Sequence, residues 1–363
     1  MFEDKIAERI LGWKKGEKIG PFEVQLNPTN RCNLKCKFCW LRDFDGDELN
    51  YEELSTKKYK EMIKDCSKMG VHTIEITGGG EPFMRSDVVT LMRTIKDCDM
   101  FGRLITNGTL LTDEVIKELI KIRWDEIVFS LDSPEREVND YLRGKSFDRV
   151  VKAIKTLQIE KIDVKKEKPA VNIHMVLCNK NFSLLPEMFE FAYNLNCRNL
   201  LVEPIVMLAV KTKAGADLLF GKKNKEPLIR YIQEATKIAH KHSFQTNIDK
   251  LEFGLVKSTS EMTKIIKEEG GNEKSHWASL PCYQPFYHMI VRPWGVVGPC
   301  CMFDNVGDDI TKKSLKEIWF GKFFEKMRKK MLNRNLPDFC SKCNPSQIQE
   351  NRKIREHIKK LSG

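Results

Sequence analysis

Hydrophobic positions along the chain recur with two different periods. Short runs rich in Val, Ile, Leu or Thr fall at Phe22–Leu26, Thr73–Thr77, Gly102–Thr106, Glu126–Leu131, Val171–Leu177 and Leu200–Val206, each bounded by polar or glycine-containing turns. Amphipathic helical segments lie between them. That alternation predicts parallel strands joined by crossover helices, an α/β barrel or open sheet. Six strands make an incomplete barrel, a partial (βα)6 TIM-type fold. In such folds the loops after the C-terminal strand ends build the active face, so those ends are where chemistry is sought first.

Past the sixth strand the pattern changes. A lysine-rich, mostly helical stretch follows, with Glu226–His242 its clearest helix and Gly270-Gly271-Asn272 a break. A hairpin is expected from Phe286–Arg292 and Val296–Met302, turning at Pro293-Trp294-Gly295, with short helices leading to Cys340 and Cys343. The expected organisation is a lead-in over 1–21, a barrel core over 22–210, a helical connector over 211–281, a cysteine-bearing extension over 282–345 and a C-terminal helix over 346–363.

Composition narrows the class. The formal charge of +11 comes mainly from lysines dispersed along helices, without a stripe of arginines and aromatics, so nucleic acid is not an expected partner. The N-terminal Met1-Phe2-Glu3-Asp4-Lys5 leads into alternating charge, and no stretch is long and apolar enough to span a bilayer; a cytoplasmic protein without a membrane segment is expected. Twelve cysteines in such a chain read as reduced thiols or metal ligands.

Their spacing carries the chemistry. Cys32, Cys36 and Cys39 fall directly after the first strand. Three thiolates hold three irons of a four-iron, four-sulfur cube and leave the fourth open to a small molecule, whereas structural zinc needs a fourth ligand. Cys282, Cys300, Cys340 and Cys343 form a second set of four, which suits a fully ligated cluster for electron transfer or structure, or zinc. Cys301 beside Cys300 leaves open which sulfur binds. Cys66, Cys98, Cys178 and Cys197 read as ordinary buried thiols. Glu203, a charge within the apolar run Leu200-Leu201-Val202-Glu203-Pro204-Ile205, needs a partner, either substrate or a lysine, and is the weak catalytic candidate. His174, sharing a strand face with Asn172, reads as a satisfied buried histidine and stays outside the catalytic set.

The CxxxCxxC run, with Phe38 just before its last cysteine, resembles the signature of the radical S-adenosylmethionine (radical SAM) superfamily. Ile74-Glu75-Ile76-Thr77 runs into Gly78-Gly79-Gly80-Glu81-Pro82, which resembles the family's GGE motif. The resemblance implies that Gly79 and Gly80 bring backbone close to the methionine end of SAM and that Glu81 accepts hydrogen bonds from its ammonium. Asn107, ending the third strand, joins that set. Phe129-Ser130-Leu131-Asp132-Ser133 resembles the ribose-contacting strand end, with Ser130 and Asp132 projecting to one side; as residues alone, both also suit helix caps or a turn. Arg143 sits where relatives carry an arginine near the SAM carboxylate, although a surface ion pair explains it as well.

The second cysteine set, with Gly295 ahead of Cys300 and a Leu315-Lys316-Glu317-Ile318-Trp319 helix between the cysteine pairs, resembles the C-terminal SPASM/twitch extension of the same family. The cysteine count favours the twitch form with one auxiliary 4Fe–4S cluster. The resemblance implies a SAM-binding 4Fe–4S cluster, that auxiliary cluster and SAM as cofactors, with an external reductant such as ferredoxin or flavodoxin. It also implies reductive cleavage of SAM to a 5′-deoxyadenosyl radical, hydrogen abstraction from substrate, and oxidation or cross-linking through the auxiliary cluster. Small-molecule dehydrogenation and peptide or protein maturation both remain open as the net reaction. Peptide modification often comes with an N-terminal peptide-recognition domain, and the roughly twenty residues ahead of the first strand weaken that reading without excluding it. A molybdenum-cofactor-type cyclase ranks lower, since the chain ends Leu361-Ser362-Gly363 without paired glycines. From a different class, an iron–sulfur electron carrier or scaffold is opposed by the SAM-pocket motifs.

Overall fold

The computed structural model describes residues 2–39, 41, 51–205, 213–251, 280–303, 306–337, 340, 343 and 345–362. Its strands are β1 (Glu23–Leu26), β2 (Thr73–Ile76), β3 (Phe101–Thr106), β4 (Glu126–Ser130), β5 (Ala170–Leu177), β6 (Asn199–Pro204), β7 (Gln245–Thr246), β8 (His288–Val291), β9 (Val296–Gly298) and β10 (Asp308–Asp309). They form one sheet in the order β10-β9-β8-β1-β2-β3-β4-β5-β6-β7, parallel from β8 to β7. The helices are α1 (Phe2–Lys14), α2 (Thr56–Lys68), α3 (Val88–Asp97), α4 (Asp113–Lys121), α5 (Arg136–Arg143), α6 (Phe147–Asp163), α7 (Leu185–Asn194), α8 (Lys213–Ala216), α9 (Lys225–Lys241), α10 (Gln284–Tyr287), α11 (Leu315–Trp319), α12 (Lys322–Leu332) and α13 (Pro345–Ser362).

Alternation along each strand divides core from lumen. Val24, Leu26, Ile74, Ile76, Leu104, Ile127, Phe129, Ile173, Met175, Leu200 and Val202 are buried in the main core shared with α2–α4, α6, α7 and α9. Many of the intervening positions are polar, among them Glu23, Gln25, Glu75, Arg103, Glu126, Asn172 and His174, although Ile105, Val128 and Leu201 are apolar. Arg103 on β3 reaches Glu126 of β4 at 2.7 Å, Glu75 of β2 at 3.3 Å and Glu23 of β1 at 3.7 Å, so these four share the opposite face. Sharp starts to the crossover helices come from Ser55 and Thr112, whose side chains accept from Lys58 N–H and Val115 N–H.

The six core strands and the α9 helix lie close to where the hydrophobic pattern puts them. The hairpin differs. Residues 284–287 form a helical turn, with Pro285 at its start, so the strand begins only at His288. β8 and β9 pair antiparallel around Gly295, whose φ of +97° belongs to glycine. β8 also pairs in parallel with β1, His288 opposite Glu23, which makes the extension continuous with the barrel sheet. The lead-in folds as α1. Its Ile6, Ala7 and Ile10 form a second core with Tyr283, Phe286, Tyr287, Ile354 and Ile358, tying both ends of the chain together. The expected break at Gly270-Gly271-Asn272, with the rest of residues 252–279 of the connector, lies outside the described residues. No helix among the described residues is long and apolar enough to cross a membrane.

Candidate active site

The C-terminal strand ends open onto a cavity of about 340 Å³, at the lower end of the range for small organic ligands. Its wall takes Cys32, Cys36 and Cys39 from the loop after β1, Gly78 to Glu81 from the loop after β2, and Asn107 after β3. Ser130, Arg143, His174 and Glu203 complete it from β4, α5, β5 and β6. Of the predicted residues for this site, Asp132 lies behind the wall, fully buried.

Steric fit explains the glycines. A Cβ on Gly79 would sit 1.7 Å from Asn30 Oδ1, and one on Gly80 would sit 2.0 Å from the Arg31 carbonyl oxygen. Gly80 N–H donates to Thr29 O and Glu81 N–H to Arg31 O, both at 2.9 Å. The glycine loop is therefore docked on the stem of the cysteine loop while also lining the cavity. Glu81 is equally committed. Only 2% exposed, it accepts from Thr106 Oγ1 at 2.6 Å, Asn107 N–H at 2.7 Å and Phe83 N–H at 3.3 Å, bracing the end of β2 against β3. Burial raises its carboxyl above the usual range while those hydrogen bonds oppose the shift. Asn107 Nδ2 then donates to Asn33 Oδ1 at 2.9 Å inside the cysteine loop.

Ser130 and Asp132 have separate tasks. Ser130 faces the cavity, whereas the Asp132 carboxylate meets Arg143 Nε at 2.6 Å and Nη2 at 2.9 Å and accepts Val176 N–H at 2.8 Å. Arg143 also lies over the Phe38 ring, 5.2 Å from its centroid, and its carbonyl accepts the Cys36 thiol at 3.9 Å. Leu142 O accepts Lys37 N–H at 2.8 Å. In this arrangement Asp132 and Arg143 balance each other's charge and fasten the cysteine loop to β4 and β5. The buried pair also explains why the invariably charged guanidinium is tolerated there: burial pulls the Arg143 pKa down, but Asp132, with Cys36 and Cys39, more than offsets it, so the net shift is upward.

The thiols fit a metal better than a free-nucleophile role. Burial raises Cys32 and pushes Cys36 up to about 11, so neither ionises unaided near neutral pH, and a bound cation would supply the missing counter-charge. Beside them, burial and then Arg143 hold His174 down at about 4, which keeps its imidazole neutral at physiological pH. The sequence left this residue out because a lone strand histidine looks the same whether it faces core or cavity.

A second cavity, compact at about 60 Å³, gathers Cys282, Cys300, Cys301, Cys340 and Cys343 among Leu280, Met302, Met331 and Leu336. Burial pushes Cys282 and Cys340 up to about 12, and Cys300 is raised further by burial and by Cys301, Cys282 and Cys343 nearby. Cys301 is exposed while its neighbour is half-buried. Cys66, Cys178 and Cys197 are buried apart from both cavities. Arg355, in the wall of this cavity, gave no sequence signal.

Comparison with known proteins places each cysteine set within a matched domain. Residues 26–192 match the radical SAM superfamily and residues 282–344 an iron–sulfur cluster-binding domain, SPASM. The chain is 27% identical over 224 residues to a tungsten-containing aldehyde ferredoxin oxidoreductase cofactor-modifying protein of Pyrococcus furiosus, covering 60% of each. It is 37% identical over 130 residues to a mycofactocin maturase of Mycolicibacterium smegmatis, covering 36% of this chain and 32% of that one. The chain thus spans less than two thirds of the length of these relatives. Streptococcus suis SuiB bound to its precursor peptide SuiA shares the fold, with a TM-score of 0.66 at 18% identity over 88% of this chain and 70% of that one. A radical SAM domain takes a 4Fe–4S cluster and SAM, and a SPASM domain takes auxiliary iron–sulfur. With both matched segments falling on the two cysteine cavities, the chain belongs to the radical SAM superfamily and carries a SPASM-type domain on its C-terminal side.

Proposed function

We propose that this protein is a radical SAM enzyme acting on a peptide segment, with Cys32, Cys36 and Cys39 holding the SAM-binding cluster and Cys282, Cys300, Cys340 and Cys343 the auxiliary one. The observation that carries the reading is the convergence of three thiols, the glycine loop and Ser130, His174 and Glu203 on one cavity at the parallel strand ends. When bound, these groups supply a 5′-deoxyadenosyl radical that takes a hydrogen from substrate, and an auxiliary cluster suited to accept the electron left behind.

The chain's own residues supply position and exclusion of water. Glu81 and Asn107 fix the glycine loop against the cysteine loop, and the Asp132–Arg143 pair fixes the same loop from the barrel side. Ser130 presents a hydroxyl to the cavity for a polar ligand group. Neutral His174 offers a hydrogen bond without adding charge, and Glu203 on the next strand presents a carboxylate toward a substrate amide or amine. Peptide is preferred to a small molecule because one relative is named a maturase and a fold neighbour is captured with its precursor peptide. The electron comes from an external one-electron donor of ferredoxin or flavodoxin type.

Anaerobic reconstitution, reduction and addition of SAM should give 5′-deoxyadenosine. Intact clusters without that product would overturn the reading in favour of an electron carrier. Deuterium transfer into 5′-deoxyadenosine from labelled peptide, and none from labelled sugars, checks the substrate class.

A further inference from the structure

The segment Tyr51-Glu52-Glu53-Leu54-Ser55, just ahead of α2, is held from two sides. On one side is the stem of the first cysteine loop: the Glu53 carboxylate accepts from Thr29 Oγ1, from Arg31 Nε at 3.2 Å and from Arg31 Nη2 at 3.1 Å. The Arg31 pair is exposed and holds weakly. Arg85, which is buried, holds better, because its Nη1 donates to Pro28 O at 3.2 Å and Leu54 O at 3.0 Å while Asp87 takes Nε and Nη2 at 2.8 Å. Stem and segment thus share one buried anchor.

On the other side is the β8–β9 turn of the C-terminal extension. Leu54 N–H donates to Pro293 O at 2.8 Å, and a Cβ on Gly295 would lie 3.4 Å from the buried Leu54 side chain. The Tyr51 ring meets the Trp294 ring at 4.6 Å between centroids, tilted by 53°, and the Asn30 backbone makes a hydrogen bond to the Tyr51 hydroxyl. Asn30 is the residue packed against Gly79. Trp294, Tyr51, Asn30 and Gly79 therefore touch in sequence, from the turn of the extension to the wall of the first cavity, and Trp294 and Tyr51 themselves line neither cysteine cavity. Whatever they do there, they do through the loop they hold.

We infer that Tyr51 and Trp294 are positioning residues for the SAM-binding site, a brace by which the C-terminal extension sets where the first cysteine loop and the glycine loop stand. The inference rests on the reading of Cys32, Cys36 and Cys39 as the SAM-binding set. Hydrogen–deuterium exchange of the metal-free full chain tests the brace without any cofactor, since Gly80 and Glu81 N–H donate to the cysteine-loop stem and report its docking. Trp294→Ala should speed exchange in peptides covering 28–39 and 78–84 about five-fold, leave the β5 peptide at the parent rate, and be rescued to within about two-fold by Trp294→Phe. Unchanged exchange in those peptides, equal acceleration in β5, or failure of Trp294→Phe to rescue each overturns it. Should Trp294→Ala not fold, Tyr51→Phe keeps the ring and loses the hydroxyl; about two-fold faster exchange over 28–39 is then expected, and no change overturns the inference. In iron-loaded protein, calorimetry should show SAM affinity falling about five-fold in Trp294→Ala at unchanged auxiliary iron, and an unchanged affinity counts equally against the brace. A parent that loads iron yet binds no SAM is a separate result: it removes the reading of the first cavity, while the exchange rates still decide whether the extension holds the loop.

Discussion

The two cysteine cavities of this chain use the same side chain in opposite settings. The N-terminal trio lies on a loop at the mouth of a cavity of about 340 Å³, with Cys32 exposed, and polar residues from successive strand ends complete the wall. The C-terminal group closes on about 60 Å³ of largely apolar space, too little for a SAM-sized ligand beside a cluster. Their charge balance differs too. Arg143 beside the first trio is neutralised by Asp132, whereas Arg355 in the wall of the second cavity donates to the Pro281 carbonyl. An open cluster that must admit a charged small molecule gains from a neutral, braced frame. A closed cluster that only exchanges electrons gains from a fixed counter-charge.

The largest break in that comparison comes from the sulfurs. Replacing Cys32, Cys36 and Cys39 by Ala should abolish SAM cleavage while leaving about four irons per chain, and replacing Cys340 and Cys343 should remove the other irons yet spare 5′-deoxyadenosine formation. Iron and sulfide quantification with chromatography of the nucleoside checks both; equal loss of cleavage in two folded variants would erase the division of roles. Next comes the brace. Asp132→Ala leaves Arg143 buried and unpaired, which should cost about 3–5 kcal/mol in chemical denaturation, whereas Asp132→Asn keeps most hydrogen bonds and should cost less. A smaller third effect concerns loop docking. The Cβ of Gly80→Ala meets the Arg31 carbonyl oxygen, so the two loops must part, and SAM affinity by calorimetry should fall at least about ten-fold with auxiliary iron unaffected.

Most of this architecture was legible before any coordinate. Strand runs were bounded by turns that punctuate clearly, and CxxxCxxC after a first strand constrains loop, ligand count and neighbours together. What the structure adds to that reading shares a cause: it concerns residues whose partner is distant in sequence. Gly79 and Gly80 look free to approach a ligand until Asn30 and Arg31 are seen against them. Asp132 alternates with Ser130 as a strand pattern demands, but the chain has left β4 by then and the carboxylate turns to Arg143. The helical turn before β8 hides in an apolar run, because Pro285 and aromatic residues suit a strand edge as well as a helix start. Arg328 is one lysine-rich helix's arginine in sequence and becomes distinctive only when Trp13 and Trp319 close over it.

The smallest predicted effect tests the neutral frame directly. His174 is held near 4 in the fold by burial and by Arg143, below its ordinary value of 6.5. The folded state thus binds fewer protons than the unfolded chain between those values, and stability must rise with pH across them. The contribution is full above the unfolded value, declines as pH falls below about 6.5 and is gone once pH passes below the folded value. In cluster-free protein, His174→Gln should flatten this part of the stability curve while leaving the neutral-pH end little changed, and urea melts at several pH values would show it. If the variant keeps the parent slope, His174 is not the group that titrates, and the first cavity would be less sheltered from charge than its geometry requires. Retention of the slope in Arg143→Met, by contrast, would isolate burial as the larger cause, since removing the guanidinium relaxes only the second of the two forces acting on the ring.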